Sequence, residues 1–346
     1  MYLGLLKEFL FHPDEEYIIN RTLNVRGKDV LLLSLTKEND TCSLWVMRKR
    51  DLHEELYEVE VETKRDEMLR HIESSNRDHN FFLNQMEIQG NIVEFDTSFN
   101  HYVHENNWEA IVKLLHFVEL GLIPEEWDNV ELENLVITEF RQKEGDYVPV
   151  IDTTKDLSIL LYIGQDTRQV PILHSFKAHM GKQDMGKKII YYDKELGKEG
   201  CFYINELTSY DPYEDIEKMV KNIENIEERE RVLDDLINAI KDYCPRGKNL
   251  AIIEYETEDD TQLEFYLKEY LDSKPIIYED YNEKEPIGRS TGIGFIATTD
   301  KEKGINGYKL RASVMQAIDK DYSGELQIEL FSRYLIIPEE IMTIDF

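Results

Sequence analysis

The sequence predicts an α+β fold of mixed or antiparallel sheets with a few packed helices, arranged as two domains. Three observations lead there. Short segments that alternate polar and apolar residues recur along the chain, helical stripes occupy 108–120 and 209–243, and 346 residues exceed what a single hydrophobic core usually fills.

Taken in order, residues 29 to 48 form a β-hairpin, with arms Asp29–Thr36 and Cys42–Met47 about the polar turn Lys37–Thr41. Leu56–Lys64 alternates, with Tyr57, Val59, Val61 and Thr63 on one face and Glu58, Glu60, Glu62 and Lys64 on the other, the pattern of a strand with one wet face. The polar stretch Glu67–Asn80 reads as loop or short helix, and Asn91–Phe95 as strand. In the next helix Trp108, Ile111, Val112, Leu115 and Val118 form the apolar stripe, with Asn106 or Asn107 as N-cap and Gly121 as stop. Leu132–Phe140 is a strand, and the polar run Arg141–Asp146, followed by Pro149, sets domains of 1–145 and 146–346.

In the second half Leu157–Ile163, Lys188–Tyr192, Cys201–Ile204 and Leu250–Tyr255 read as strands. Residues 211–243 make one long helix or a helical hairpin, capped by Ser209 or Asp211, with Ile216, Met219, Val220, Ile223 and Ile226 as its stripe. The charged run Glu227–Arg231 interrupts the spacing. A short helix over Thr261–Leu271, a helix over Leu310–Ile318, and strands at Gly292–Thr298, Leu326–Leu330 and Tyr334–Ile337 complete the chain.

Charge is the most unusual property. Asp and Glu number 71 against 40 Lys and Arg, a net charge of −31, and such a surface repels phosphate backbones and anionic lipid while it attracts basic partners. This argues against broad nucleic-acid binding and for a protein partner, and it is compatible with a homo-oligomer. Cys42, Cys201 and Cys244 are odd in number and lack C-x-x-C spacing, which argues against a disulfide framework or structural zinc. With no secretory leader and no apolar run of spanning length, a cytoplasmic place and no membrane are expected.

Several segments invite chemistry. Gly181–Lys188 fits G-x-x-x-x-G-K, but Lys188 stands where a P-loop needs a hydroxyl for Mg²⁺ and a strand follows instead of a helix, so a surface loop is the better reading. The same region is a basic island in which Lys177, Lys182, Lys187 and Lys188 face one acid, Asp184. It reads as a solvated loop or a contact to the protein's own acidic surface, with a phosphate or acidic partner as the alternative. Asp51 with Glu62 and Lys64 matches the loose D…E-x-K pattern of Mg²⁺-dependent nucleases, although the wet face of a strand explains the same residues. His101 and His104 would chelate a metal if their segment were helical, but no third ligand is marked. Arg289, in the glycine-rich loop Gly288–Gly294, would meet an anion if that loop were more than the entry to a strand.

Asn249–Glu285 carries 12 acids against three lysines. Its cluster Glu256, Glu258, Asp259 and Asp260 offers cation ligands or a phosphate mimic, with a solvated loop as the plainer reading.

The sequence therefore favours a non-enzymatic interaction or regulatory protein that binds a protein partner through its acidic surface, without a cofactor. A defence-system component or a nucleic-acid-mimicking inhibitor is a particular version. A metal-dependent nuclease or hydrolase with Mg²⁺, and a nucleotide or small-ligand sensor, are the alternatives.

Overall fold

The computed structural model describes residues 9–38, 40–50, 61–77, 81–152, 154–155, 158–275, 299 and 301–344. Fifteen strands and five α-helices lie among them, so the α+β class holds with the sheets predominant. The helices are α1 (Lys64–Arg77), α2 (Trp108–Glu119), α3 (Pro212–Val220), α4 (Ile226–Ile240) and α5 (Lys268–Leu271). Two compact units emerge, one made of Met1–Glu58, Ser74–Thr167 and Ile336–Phe346, the other of Val59–Glu73 and Arg168–Leu335. Each is discontinuous in sequence, and the main crossing at Thr167/Arg168 falls after the polar run at 141–146.

The first unit is built on one antiparallel eight-stranded sheet. Its order is β1 (Glu15–Val25), β2 (Lys28–Glu38), β3 (Thr41–Lys49), β6 (Leu135–Gln142), β5 (Asn91–Tyr102), β4 (Leu83–Ile88), β7 (Ile159–Ile163) and β15 (Glu340–Ile344). The predicted hairpin is β2 and β3, closed at Glu38 and Thr41. Because side chains alternate across a strand, β2 and β3 feed two cores at once. Val30, Leu32, Leu44 and Val46 pack with Met86, Ile88 and Leu161 from the far end of the sheet, which therefore curls over its own apolar face. Leu31, Leu33, Trp45 and Met47 point the other way and receive α2.

Helix α2 starts as predicted, with the Asn107 side chain accepting from the Ala110 N–H at 3.3 Å. Its buried face is a correction. Ala110, Lys113, Leu114 and Phe117 pack inward, whereas Trp108, Leu115 and Val118 of the predicted stripe are 46%, 54% and 50% exposed. The helix is apolar nearly all round, so periodicity cannot choose its inner face; Phe117 and Leu114 win because they fill the space above Trp45 and Met47.

The second unit is a two-sheet sandwich. One sheet runs β13 (Leu310–Asp319), β11 (Lys248–Thr257), β10 (Lys198–Tyr210), β9 (Lys188–Asp193), and the other runs β12 (Leu263–Leu267), β14 (Glu325–Ile337), β8 (Asp166–His179). Phe202, Ile253 and Tyr255 of the first meet Phe176, Phe265 and Ile328 of the second, with Phe202 and Phe265 edge to face at 5.1 Å. The helix expected over Leu310–Ile318 is strand β13, paired with β11 from Glu256↔Leu310 to Lys248↔Asp319. The helix expected over Thr261–Leu271 is strand β12 followed by the single turn α5. In both cases the free edge of a neighbouring strand offers a whole ladder of hydrogen bonds, which outweighs local helix preference.

Residues 211–243 form the hairpin. Asp211 caps α3 through the Tyr213 N–H at 3.0 Å and Asn225 caps α4 through the Glu228 N–H at 3.1 Å, so the break lies before the charged run, not within it. Tyr213, Ile216 and Ile240 bury against Leu250.

The alternation at Leu56–Lys64 does not yield the predicted strand in its described part. Residues 61–63 are irregular and Lys64 opens α1. Thr63 and Asp66 form a reciprocal cap: Asp66 accepts from the Thr63 N–H at 3.0 Å, and the Thr63 hydroxyl accepts from the Asp66 N–H at 3.3 Å. Two further contacts fix this helix start, the Lys64 N–H donating to Ser273 O at 2.8 Å and Arg65 bridging Asp272 and Glu329.

Hydrogen bonds from Arg65 and Lys268 hold the Asp272 carboxyl below its ordinary value of 3.8. A depressed folded value means that the contribution is present above that ordinary value and is lost as pH falls through the folded one. Urea unfolding followed from about pH 5 to about pH 3 should show a shallower loss of stability for Asp272→Asn than for the parent chain. Equal slopes would remove Asp272 from the acid transition.

Candidate functional site

The basic island and the acidic cluster meet on the sandwich. Lys188 Nζ lies 3.3 Å from Glu258 Oε1, which also accepts from the Tyr203 hydroxyl at 2.7 Å and the Cys201 thiol at 3.4 Å. Tyr203, then Cys201 and Lys188, hold Glu258 below the usual carboxylate range. Burial and Glu258 push the Cys201 thiol up, so it stays protonated and is a poor nucleophile.

The other island lysines are also engaged: Lys177 with Glu325 at 2.8 Å, Lys182 with Glu206 at 3.4 Å and Lys187 with Asp184 at 3.1 Å. Asp260 is held by Lys309 at 3.2 Å and Arg311 at 2.7 Å, while the Asp259 side chain accepts from the Thr261 N–H. Glu256 is fully buried and therefore leaves the surface cluster in which the sequence places it. The backbone N–H groups of Gly181 and Gly186 donate to Leu207 O and Ile204 O, each at 2.7 Å, which commits that loop to the edge of β10.

The remaining sequence candidates fare differently. Asp51 and Arg289 lie outside the described residues. Glu62 and Lys64 no longer share a strand face, since one precedes α1 and the other begins it. His101 belongs to β5 and His104 lies beyond it, so the helical spacing needed for chelation is missing. The His101 ring stacks on Trp45 at 5.9 Å, and burial, then Lys113, push its pKa down. Among the described residues no three His, Cys, Asp or Glu side chains gather to hold a metal ion, and no helix is long and apolar enough to cross a membrane.

What the sequence did not single out is a cleft of about 1860 Å³ within the second unit. α1 forms one wall, the C-terminal half of α4 another, and strands β12, β13 and β14 the floor. Its floor is aromatic. Tyr266 and Tyr270 lie parallel, with centroids 6.2 Å apart and planes 10° apart, and Phe331 meets Tyr266 edge-on at 5.3 Å.

Among the described residues five carboxylates line this space, Glu67, Asp235, Asp242, Glu264 and Glu269, against a single lysine, Lys64. Glu264 accepts from the Tyr266 hydroxyl at 2.6 Å and from Ser332 at 2.9 Å, with Gln169 also donating. Burial, reinforced by Glu264, raises the Tyr266 pKa and carries that of Tyr334 to about 12, so both phenols stay neutral. Ring faces and carboxylates in one cleft attract ammonium and guanidinium groups and repel phosphate. The run Glu264–Tyr270, with two acids and three aromatic residues in seven positions inside the acidic segment, was the available signal.

A second cavity, of about 20 Å³ beside Arg26, Arg48 and Asp166 in the first unit, has room for about one water. No family model, curated protein or solved structure matches this chain.

Proposed function

We propose that this chain is a non-enzymatic interaction protein that takes a basic segment of a protein partner into the Tyr266–Tyr270 cleft. The observation that carries the reading is the gathering, among the described residues, of five carboxylates and a tyrosine floor around one lysine. The net charge of −31 supports it from a distance, because a strongly acidic molecule steers cationic segments toward itself before contact. A cytoplasmic setting belongs to the same reading, where basic segments of other proteins are plentiful.

Fluorescence anisotropy with a labelled ten-residue Arg-Ala repeat peptide tests it, beside a Gln-Ala repeat and a labelled oligothymidine. The basic peptide should bind in the micromolar range, the other two should not, and added salt should weaken the complex. Asp242→Asn combined with Glu269→Gln is expected to weaken binding about tenfold, as two charge-assisted contacts are lost. Neutralising Glu227 and Asp321, exposed carboxylates that do not line the cleft, should change it less than twofold. Equal effects from the two pairs would reduce the binding to undirected attraction and overturn the proposal.

A further inference from the structure

One cation already sits in the cleft. Lys64 Nζ lies 4.5 Å from the centroid of the Tyr270 ring, within cation–π range, and among the described residues no carboxylate is paired with it. Its backbone is fixed, since the Lys64 N–H is bonded to Ser273 O at 2.8 Å and the neighbouring Arg65 is clamped to Asp272 and Glu329. The flexible butyl stem is therefore the part free to leave. The rings are held as well, Tyr266 by its hydroxyl on Glu264 and by the edge of Phe331, and Tyr270 by its stack on Tyr266, while the Tyr270 backbone carbonyl accepts from the Ser273 hydroxyl at 2.7 Å. A rigid ring face occupied by a loosely tethered lysine is a seat with a placeholder.

We infer that the Tyr266–Tyr270 pair is the seat for a guanidinium or ammonium group of the partner, and that Lys64 fills this seat until the partner displaces it. The inference rests on the cleft reading above and adds to it which group is recognised and what competes for it. Displacement exchanges one cation–π contact for another, so the native lysine lowers affinity by the worth of its own contact. Guanidinium should be preferred over ammonium, because a planar, weakly hydrated cation stacks on a ring and forks to a carboxylate, whereas a compact ammonium does neither as well.

The test uses the full chain and the same labelled Arg-Ala peptide, with a Lys-Ala peptide of equal length. Lys64→Met keeps the stem and removes the charge, and it should tighten Arg-Ala binding about tenfold. Lys198→Met, at an exposed position that does not line the cleft, makes the same change in net charge and should stay within about twofold. The parent chain should favour Arg-Ala over Lys-Ala about fivefold, and Tyr270→Leu should erase that preference. Thermal melting of each variant confirms that it is folded; should Lys64→Met fail there, the Tyr270→Leu comparison still decides. Binding of the basic peptide with no tightening in folded Lys64→Met, or with an Arg preference that survives Tyr270→Leu, overturns the seat and leaves the cleft reading standing. Absence of basic-peptide binding in every form overturns both.

Discussion

Glu256→Gln is expected to lower the unfolding free energy by about 3 kcal/mol, while Glu258→Gln, two residues on, leaves it almost unchanged. The Glu256 carboxylate is fully buried and accepts from four donors: Asn205 Nδ2 at 2.7 Å, the Asn306 N–H at 3.1 Å, the Tyr308 N–H at 3.0 Å and, more weakly, Asn306 Nδ2 at 3.4 Å. Asn205 completes the arrangement by accepting from the Ile305 N–H at 2.9 Å. One acid on β11 thus holds the 304–308 turn, and Gly304 passes so close that a Cβ there would lie 2.2 Å from the Glu256 carboxyl carbon.

An amide in place of the carboxylate turns one acceptor into a donor facing donors, leaving buried N–H groups unpaired. Glu258, exposed and ringed by Lys188 and Tyr203, loses only contacts that water replaces. Urea unfolding measures both changes, and hydrogen exchange at Ile305, Asn306 and Tyr308 should rise in Glu256→Gln ahead of global unfolding. Equal stability of the two variants would mean that the turn holds itself.

The contrast between Glu256 and Glu258 also marks the limit of what was legible in the sequence. Glu256 lies on β11 and Glu258 one residue past its end, and their spacing of two gives no sign of which is covered; that depends on a turn about fifty residues away. Where a segment's own pattern decides, the reading was close: the β2–β3 hairpin, the Asn107 cap of α2, and strands β7 and β9 lie where alternation and capping put them. Where a partner decides, it was not. β13 has helix-compatible residues and becomes a strand because β11 presents a free edge, and α2 turns Phe117 inward because Trp45 waits there.

Thr63 and Asp66 are a different case. Their capping pair was visible in the sequence but lost to the stronger alternation just before it. The cleft escaped for a third reason, because Lys64, Asp242, Tyr266 and Phe331 are far apart in the chain and no spacing rule joins them.

The largest single loss is expected at the buried Asp193–Arg333 pair, where Arg333→Met should cost about 3–5 kcal/mol. Asp193 closes β9 at 2% exposure and Arg333 lies on β14 at 4%, so their contact ties one sheet of the sandwich to the other. Removing the guanidinium leaves a carboxylate sealed from water with only the Glu195 and Leu196 N–H groups, each at 3.0 Å, to support its charge. The pair need not be worth that amount itself. Its desolvation is costly, and Arg333 Nη2 is buried with no hydrogen-bond partner among the described residues, so the native arrangement already carries an unsatisfied donor.

A double-mutant cycle separates the two quantities. Asp193→Asn keeps the acceptor that the Glu195 and Leu196 amides need and removes the charge, so Asp193→Asn with Arg333→Met should recover most of what Arg333→Met alone loses. Chemical denaturation of the four forms measures it. Full recovery identifies the pair as a device that fixes how the two sheets register, with little net stabilisation, whereas a double variant as unstable as Arg333→Met would make the ion pair a true source of stability.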